Sequence, residues 1–564
     1  MTDIKVENKA FYWATIFLRS LIKAGLKHIV ISPGSRSTPL TMAAAVLPQL
    51  KKHVILDERS AAFFALGVGK ATNNPAALIC TSGTAVANYY PAVIEARMSG
   101  VPLLLLTADR PPHLRHTGAN QTINQLDIFG EYPVFFHDVG EPEIKESNLE
   151  KLSRLAGQAV QQSKTKQGPV HLNFPFSKPL EPENDFVKHI SEENKNQNTS
   201  PPISKNLQQS FQLDDDLLDQ IHAADKPLII IGQLTPATKL KSIYRLAESL
   251  HAPVLSEQGT ANLNLSIQGF EGFLHNNDTK NDLEPDLILR FGRQPASKSL
   301  LQAIEHWQPN RHIYFSDSEG LSDINNTTSD FVKWNGNYFD TNKFPKKSGK
   351  WLQKWKLTEE RYFDESRKVL ADTSALTDAH IYHHLSPIIP EDWSIFISNS
   401  FPARDQSMFG RWKTQHIFTN RGASGIDGIT STAMGTVAGL NQPGILFTGD
   451  LAFLHDTNAL LNAKELSKPL VVVVINNQGG SIFRMLPIAK QEDHFSTYFE
   501  TPQNVSINKL AEAYDANYTL VTKTGKLNEI SMSSFSEPGL HIIECKTDPD
   551  ASMRLREKLW NLKL

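Results

Sequence analysis

The sequence predicts an α/β protein built from three doubly wound domains, each with a mainly parallel sheet. Short apolar segments end in turns of small residues and are followed by helical patterns, which is the order expected of parallel sheets covered by helices. These segments fall into three blocks along the 564 residues, and polar stretches separate the blocks. A chain of this length suits roughly three to four domains of about 150 residues each.

The first block covers residues 1–185. Its first segment, residues 11–22, is apolar but contains Arg19, so it predicts an amphipathic helix rather than a signal peptide. The predicted strands that follow are HIVIS, HVILD, AALIC, VPLLLLTAD and VHLNF. From about residue 180 the chain becomes rich in Glu, Asn, Lys, Ser and Pro, which predicts a polar linker over residues 186–210.

The second and third blocks repeat the strand and helix pattern. The second, residues 211–350, contains LIIIG, PVLS and LILRFG, and fades into a polar stretch from about residue 320 that marks a second boundary. The third, residues 351–564, contains SIFIS, HIFT, GILFTGD, LVVVVINN and HIIEC. Each block therefore predicts its own parallel sheet.

Composition narrows the class of protein. Lysine and arginine total 57 and aspartate and glutamate total 60, so charge gives no reason to expect a nucleic-acid or membrane partner. The two cysteines, Cys80 and Cys545, lie in apolar strand-like runs, where a buried thiol behaves as a small hydrophobe. No run reaches the roughly 18 apolar residues of a membrane span. We expect a cytoplasmic protein that acts on small molecules.

Polar side chains follow two apolar strands of the third block. Asp450 comes directly after GILFTG, and Asn476 and Asn477 close LVVVVINN. One strand-helix-strand unit would bring these strand ends together. A carboxylate, a carboxamide and the carbonyl of Gly479 are oxygen ligands of the kind that Mg²⁺ accepts beside a diphosphate. Either half alone also fits ordinary turn chemistry, but the pair at this spacing favours a metal-diphosphate site.

This pair resembles the signature of the thiamine diphosphate-dependent enzymes, Gly-Asp-Gly followed by Asn-Asn. The chain departs from it at Leu451, where the family has glycine. The resemblance implies a pyrimidine-binding (PYR) first domain, a diphosphate-binding (PP) third domain, and thiamine diphosphate with Mg²⁺, or Mn²⁺ as an alternative. The implied metal ligands are Asp450, Asn477 and Gly479. The implied cofactor contacts are Glu58, Ser424, Gly425, Ile426, Gly449, Asp450 and Asn477.

Glu58 is the catalytic residue that the resemblance implies. The segment HVILDERS places it between a predicted strand and a helical run. Thiamine chemistry needs a carboxylate against N1′ of the aminopyrimidine ring, and Glu58 stands at the matching position. The local pattern alone also fits an acid favoured at a helix N-terminus. Ile426 would hold the bent form of the cofactor, with plain core packing as its alternative.

Three further segments resemble the MenD branch of this family, which acts in menaquinone biosynthesis: SPGSRSTPL (32–40), TADRPP (107–112) and NRGASGIDGITSTAMG (420–435). Leu451 fits the same branch. The resemblance implies decarboxylation of 2-oxoglutarate and 1,4-addition of the resulting succinyl carbanion equivalent to isochorismate. The products would be 2-succinyl-5-enolpyruvyl-6-hydroxy-3-cyclohexene-1-carboxylate and CO₂.

The arginines in these motifs suit substrates with several carboxylates, because a guanidinium can pair with a carboxylate through two hydrogen bonds. By motif position, the implied substrate contacts are Ser35, Arg36, Arg110, Gln121, Lys298, Ser400, Arg404, Arg421, Ile482 and Phe483. The chain departs at Ser299, where the family often has a basic residue, and Arg290 or Arg293 could replace that contact. Each arginine alone also fits a structural ion pair, and Ile482 and Phe483 also fit core packing.

Two other functions stay open on the residues. Another thiamine-dependent 2-oxoacid decarboxylase or carboligase would convert 2-oxoglutarate to succinic semialdehyde without isochorismate. A non-catalytic nucleotide-binding scaffold could use the same sheets, although intact Glu58, Asp450 and Asn477 argue against it. The resemblance puts the PYR and PP domains that share a cofactor on different subunits, so we expect a homodimer or a dimer of dimers.

Overall fold

The computed structural model describes residues 8–196, 211–234, 239–316, 323–324, 326–344, 347–413 and 417–564. Within these ranges the strands form three six-stranded sheets, and every neighbouring pair of strands is parallel. Helices are interleaved with the strands along the chain. The predicted fold class, α/β with three doubly wound parallel sheets, is confirmed.

The first sheet has the order β2-β1-β3-β4-β6-β5. The chain leaves β1 towards one edge and returns on its other side at β3, so the carboxyl ends of β1 and β3 flank a switch point, where open sheets bind ligands. The strands are β1 His28–Ile31, β2 Lys51–Val54, β3 Ala76–Cys80, β4 Leu103–Asp109, β5 Phe135–Asp138 and β6 Pro169–Pro175.

The second sheet has the order β12-β11-β10-β7-β8-β9, with its switch point between β7 and β10. Its last strand lies inside the polar stretch that begins near residue 320, so this stretch contributes to the central sheet. The strands are β7 Pro227–Ile231, β8 Val254–Ser256, β9 Ser266–Ile267, β10 Leu287–Phe291, β11 Arg311–Ser316 and β12 Asp330–Lys333.

The third sheet, β14-β13-β15-β16-β18-β17, repeats the strand order of the first. Its switch point lies between β13 and β15. The strands are β13 Ser394–Ile397, β14 Ile417–Thr419, β15 Gly444–Gly449, β16 Pro469–Asn476, β17 Asn517–Val521 and β18 Gly539–Lys546.

The helices of the first block begin with the predicted amphipathic one. They are α1 Lys9–Lys23, α2 Thr38–Ala45, α3 Glu58–Thr72, α4 Thr84–Ala87, α5 Tyr90–Ser99, α6 Glu146–Thr165 and α7 Asn184–Asn196. The second block and the start of the third contain α8 Asp215–Ala223, α9 Lys239–Leu250, α10 Phe270–Phe273, α11 Asn277–Asp282, α12 Lys298–Trp307 and α13 Lys350–Ala371. The later helices are α14 Asp378–Leu385, α15 Phe401–Phe409, α16 Ile429–Leu440, α17 Asp450–His455, α18 Glu492–Phe495, α19 Ile507–Ala513, α20 Thr524–Leu527 and α21 Pro549–Trp560.

Short polar side chains start the helices that matter most for the site. Asp57 accepts hydrogen bonds from the N–H groups of Arg59 and Ser60 at the start of α3. Ser297 accepts one from the N–H of Leu300 at the start of α12. These caps satisfy backbone donors that have no partner inside the helix, and so they fix where each helix begins.

Alternating strand residues build separate cores on the two faces of the central sheet. Ile229 and Ile231 of β7 face a core that includes Trp334 and Phe339. Leu228 and Ile230, on the other face, join a core that continues through Ile395 and Ile397 of the third sheet. Because strand side chains alternate between faces, one apolar run serves both cores.

The segment predicted as a polar linker contains a helix. Residues 184–196 form α7, and Phe186 and Ile190, four positions apart on one face, are buried in the core of the first sheet. A composition rich in polar residues hid this short apolar stripe. Residues 197–210 lie outside the described residues. The predicted domain limits, 1–185, 211–350 and 351–564, stay predictions.

The chain divides into two compact units. The first contains the described residues within Met1–Lys205, Gly422–Asn441 and His455–Ser467, and the second those within Asn206–Arg421, Gln442–Leu454 and Lys468–Leu564. The first sheet lies in one unit, and the second and third sheets lie in the other. None of the helices in the described part of the chain is both long and apolar enough to cross a membrane.

Candidate active site

Asp450 and the Asn476-Asn477 turn lie together at the carboxyl edge of the third sheet. Strand β15 ends at Gly449 and is paired there with Ile475 of β16. Beyond these strand ends, the Asp450 carboxylate accepts hydrogen bonds from the N–H of Leu451 at 2.8 Å and of Gly479 at 2.7 Å. The strand-helix-strand spacing therefore brings these motifs together as the sequence predicted.

The turn after β16 separates the roles of its two asparagines. Asn476 is bound on both sides, since its amide donates to Glu544 at 2.7 Å and its carbonyl oxygen accepts from the N–H of Gln478. The Asn477 side chain is 7% exposed, and no hydrogen bond joins it to another described side chain or backbone group. The geometry thus leaves Asn477, rather than Asn476, available to a ligand.

Gly479 is required by the shape of the same turn. Its φ of 123° lies in the region that favours glycine. A Cβ atom there would lie 2.2 Å from the carbonyl oxygen of Glu500. The glycine therefore lets the turn pass close to the backbone of Glu500 while its N–H donates to Asp450.

The electrostatics of this cluster suit a cation. Burial raises the pKa of Asp450 to about 6, although the two N–H donors oppose the rise. A buried carboxylate beside an unengaged carboxamide and a turn carbonyl gives a hard oxygen donor set, which fits Mg²⁺. Among the described residues no group of three His, Cys, Asp or Glu side chains is placed to share a metal. The donor set here contains only one of those residue types.

Glu58 is the first residue of α3, in the first unit, and is half-buried. Hydrogen bonds hold both of its sequence neighbours. Asp57 accepts from the side-chain amide of Asn458 at 2.6 Å, and Arg59 donates to the backbone carbonyl of His455 at 2.8 Å. Burial raises the pKa of the Cys80 thiol, and the charge of Glu58 adds to the rise. Glu58 therefore sits close to the buried end of β3 on a firmly anchored segment.

The segment after Arg421, which the resemblance assigns to cofactor binding, is held by a carboxylate that the sequence did not indicate. Glu95 of α5, which is 3% exposed, accepts from the N–H groups of Gly422 at 3.1 Å and Ala423 at 2.7 Å. Its other donors are Ser99 and Lys70. The next residues, Ser424, Gly425 and Ile426, follow from this anchored point.

Ile426 has an unusual environment for an isoleucine. Its side chain is 37% exposed, so core packing does not account for it. Ser424, two residues earlier, has φ of 59°, which bends the backbone before Ile426. Ile482 and Phe483 lie in a 3₁₀ turn after Gly480 and are both half-buried.

Four predicted substrate residues lie near the carboxyl ends of β1, β3 and β4. Ser35 is exposed, whereas Arg36 is buried and donates to the carbonyl of Phe176 at 2.6 Å. Burial lowers the pKa of Arg36, and the positive charge of Arg110 lowers it further, so the two guanidinium groups are neighbours. Gln121 donates to the carbonyl of Ser82, just beyond β3, at 3.0 Å.

Two predicted substrate residues, Arg404 and Arg421, line a cavity in the other unit. The cavity is lined by Gln233, Glu257, Gln258, Glu271, Gln294, Ala296, Ser297, Ala403, Arg404, Gln406, Thr419 and Arg421. Arg404 donates to the carbonyl of Ser400 at 3.0 Å, and Arg421 approaches the Asn399 side chain at 3.4 Å. Gln233 and Gln294 follow β7 and β10, so the cavity lies at the switch point of the second sheet.

The comparison with known proteins agrees with this geometry. Residues 13–128 match the model of the thiamine pyrophosphate enzyme N-terminal TPP binding domain, and residues 406–545 match that of the C-terminal TPP binding domain. Residues 188–397 match the middle domain of thiamine pyrophosphate enzymes.

Curated relatives align with nearly the whole chain. The 2-succinyl-5-enolpyruvyl-6-hydroxy-3-cyclohexene-1-carboxylate synthase of Bacillus velezensis is 36% identical and covers 98% of this chain and 97% of its own. The synthases of the same name from Microcystis aeruginosa and Chloroflexus aurantiacus are 37% and 34% identical, over 97% and 98% of this chain and 98% and 96% of their own. The chain belongs to the MenD family. It is therefore an enzyme, and it contains the thiamine diphosphate-binding domains of that family.

Ser299 of this MenD-family chain binds a carboxylate inside the protein. It is 1% exposed, and its hydroxyl donates to the Glu271 carboxylate at 2.8 Å. Arg290 is engaged elsewhere, since its guanidinium stacks 4.2 Å from the Tyr314 ring and donates to Gln294 at 2.7 Å. Gln294 lines the cavity, and the replacement of the missing basic contact by Arg290 or Arg293 stays a prediction.

In this MenD-family chain, three glutamates that the motifs did not indicate line the cavity or contact the segment next to the candidate site residues. Glu257 and Glu271 line the cavity with Arg404 and Arg421, and Glu95 binds the backbone of Gly422 and Ala423. An isolated glutamate in a helix or after a strand carries no local sign of such a role. Their contacts join segments that are distant in the sequence.

Proposed function

We propose that this enzyme decarboxylates 2-oxoglutarate and adds the resulting succinyl unit to isochorismate in a 1,4 sense. The products are 2-succinyl-5-enolpyruvyl-6-hydroxy-3-cyclohexene-1-carboxylate and CO₂, and the reaction belongs to menaquinone biosynthesis. The observation that carries the proposal is the alignment, over nearly the full chain, with synthases whose printed name gives this product. Two clusters of arginines at strand ends give the substrates' carboxylates charged partners.

Asp450, Asn477 and the carbonyl of Gly479 are proposed to hold Mg²⁺, or Mn²⁺ in its place, with the diphosphate of the cofactor. When bound, thiamine diphosphate supplies the carbon nucleophile and the electron sink that decarboxylation needs. Glu58 is proposed to hold the proton shared with N1′ of the aminopyrimidine. Ser424, Gly425, Ile426 and Gly449 would contact the cofactor.

The substrate-binding residues are proposed to form two groups. Ser35, Arg36, Arg110 and Gln121 lie at the edge of the first sheet. In the other unit, Arg404 and Arg421 line the cavity, and Lys298 and Ser400 are assigned to the same group because each directly follows or precedes a residue of the segments that line it, Ser297 and Phe401–Phe409. Guanidinium and ammonium groups there would pair with carboxylates, and Ile482 and Phe483 would supply apolar surface. A homodimer or a dimer of dimers is part of the same proposal, as the family resemblance implies.

Product analysis tests the proposal. The enzyme is incubated with 2-oxoglutarate, isochorismate, thiamine diphosphate and Mg²⁺, and each component is omitted in turn. We expect the adduct only in the complete mixture. Formation of succinic semialdehyde at the same rate with and without isochorismate, and no adduct, would instead identify a simple 2-oxoacid decarboxylase.

A further inference from the structure

Two carboxylates line the cavity in the second unit and are not among the proposed substrate contacts. Glu257 lies just after β8 and Glu271 lies in α10, and both line the cavity with Arg404 and Arg421. Carboxylates in a pocket for anionic substrates oppose binding unless other groups take up their charge. The partners of these two carboxylates therefore decide what they do.

Glu257 holds the backbone that leads into α12. Its two oxygens accept from different donors, the N–H of Ala296 at 2.8 Å and the N–H of Ser297 at 2.5 Å. Arg421 approaches the carbonyl of the same Ala296 at 3.4 Å, and its charge acts on Glu257. The Glu257 carboxylate thus binds N–H groups of this segment, and the Arg421 guanidinium approaches a carbonyl of the same segment.

Glu271 holds the first turn of α12 through side chains. One of its oxygens, Oε2, accepts from the hydroxyl of Ser297 and from that of Ser299, the latter at 2.8 Å. Ser297 is also the cap of the helix, because its hydroxyl oxygen accepts from the N–H of Leu300 at 3.1 Å. The positive charge of Arg404 lies close enough to favour the ionised form of Glu271.

Lys298 lies between these two serines. Both serine side chains are buried, whereas that of Lys298 is exposed. The position of its ammonium group relative to the guanidinium groups therefore depends on how firmly Ser297 and Ser299 are held.

We propose that Glu257 and Glu271 are positioning residues, which fix the start of α12 and thereby set Lys298 relative to Arg404 and Arg421 for a substrate carboxylate. This inference rests on the proposed function, because it takes those three cations as the substrate's partners. It adds two residues that act through others and that the motifs do not identify.

The two glutamates should respond differently to the same substitution. In Glu257→Gln one carboxamide N–H₂ group faces a backbone N–H, because both oxygens of Glu257 are acceptors. In Glu271→Gln the carboxamide oxygen can take the place of Oε2 and accept from both serines. Glu271→Leu removes the acceptor altogether. If the two glutamates fix the start of α12, Glu257→Gln and Glu271→Leu should weaken substrate binding, whereas Glu271→Gln should leave it nearly unchanged.

Steady-state kinetics of the cofactor-loaded enzyme test this pattern. We expect Glu257→Gln and Glu271→Leu to raise KM for at least one of the two carboxylate substrates by about 10- to 100-fold, with kcat changed far less. Glu271→Gln should stay within about 3-fold of the wild type. Glu359→Gln is the matched control, because Glu359 also accepts from a backbone N–H and a lysine, each at 2.7 Å, but does not line the cavity.

A double-mutant cycle separates positioning from general damage. If Glu271 acts through Lys298, Glu271→Leu adds less than about 2-fold to KM when Lys298→Ala is already present. Fully additive effects, or an unchanged KM in both Glu257→Gln and Glu271→Leu, would overturn the inference. A wild-type enzyme that forms no adduct from the two substrates would instead overturn the proposed function, and this inference with it.

Discussion

The Asp450 carboxylate and the backbone N–H of Gly479, 29 positions apart in the chain, lie 2.7 Å from each other in a buried hydrogen bond. This bond joins the ends of two adjacent parallel strands. It leaves Asn477 between them with its carboxamide unengaged by the described residues and nearly buried. A hard cation with a diphosphate fits this arrangement better than a turn alone does.

Asp450→Asn should weaken Mg²⁺ binding. The substitution removes the one anionic side chain among the proposed protein ligands and puts an N–H₂ group against a backbone N–H. We expect the Kd for Mg²⁺, measured by isothermal titration at saturating thiamine diphosphate, to rise at least about 10-fold. Asn477→Ala should act in the same direction, whereas Asn476→Ala should leave the Kd within about 2-fold. Equal effects of the two asparagine variants would contradict the assignment of Asn477.

Glu58→Gln should abolish most turnover while the cofactor still binds. Loss of a group that holds a proton in catalysis costs on the order of 100-fold or more. Asp57→Asn is the neighbouring control, since asparagine still caps α3. Turnover and titration with thiamine diphosphate are measured on both. Full activity in Glu58→Gln would refute the proposed role of this residue.

Arg404→Ala should separate the two halves of the reaction. If Arg404 pairs with the second substrate, formation of the isochorismate adduct falls while decarboxylation of 2-oxoglutarate continues. Arg411→Ala is the control, because Arg411 is exposed and its guanidinium lies over the Phe363 ring. The rates of CO₂ release and of adduct formation are compared. Unchanged coupling between them would remove Arg404 from the second substrate's site.

Glu95→Gln should loosen the cofactor motif. Glu95 has four donors, and glutamine leaves at least one backbone N–H without an acceptor. We expect a loss of about 1–3 kcal/mol in the free energy of unfolding, measured in denaturant, and weaker binding of thiamine diphosphate. Exposed Glu150→Gln should change neither quantity. Cofactor affinity equal to that of the wild type would show that the anchor does not matter for binding.

Glu271 should make stability depend on pH. Burial raises its pKa from 4.5 to about 7, so between these values the unfolded chain ionises while the folded protein keeps the proton. The folded state is therefore penalised increasingly as pH rises from about 4.5 to 7, by up to about 3 kcal/mol. Relative to the wild type, Glu271→Gln should gain in Tm between pH 5.5 and pH 8. A Tm difference that stays constant with pH would contradict the raised pKa.

Much of this fold could be predicted because its strands are continuous apolar runs that both faces of a parallel sheet require. The proximity of Asp450 and Asn477 was predictable for a similar reason, since one strand-helix-strand unit fixes where two strand ends meet. The helix Asn184–Asn196 was missed because its two buried apolar residues stand among polar ones. The matching strand order of the first and third sheets depends on long-range pairing that local patterns do not reveal.

The supporting residues of the candidate site were not predictable from the sequence. Glu271 reaches Ser297 across 26 positions, and Glu95 reaches Gly422 across 327. A carboxylate without a motif has no local pattern that distinguishes such contacts from a solvated surface. The motifs predict which residues would contact a ligand, whereas the residues that hold those motifs in place become visible only in the folded chain.

Mass spectrometry of the product made from fully carbon-13-labelled 2-oxoglutarate and unlabelled isochorismate tests whether the enzyme joins these two substrates at a thiamine diphosphate site. We predict an adduct with four labelled carbons and labelled CO₂ in equal amount, both dependent on thiamine diphosphate and Mg²⁺. Labelled succinic semialdehyde alone, or no release of labelled CO₂, would show that the enzyme does not catalyse this carboligation.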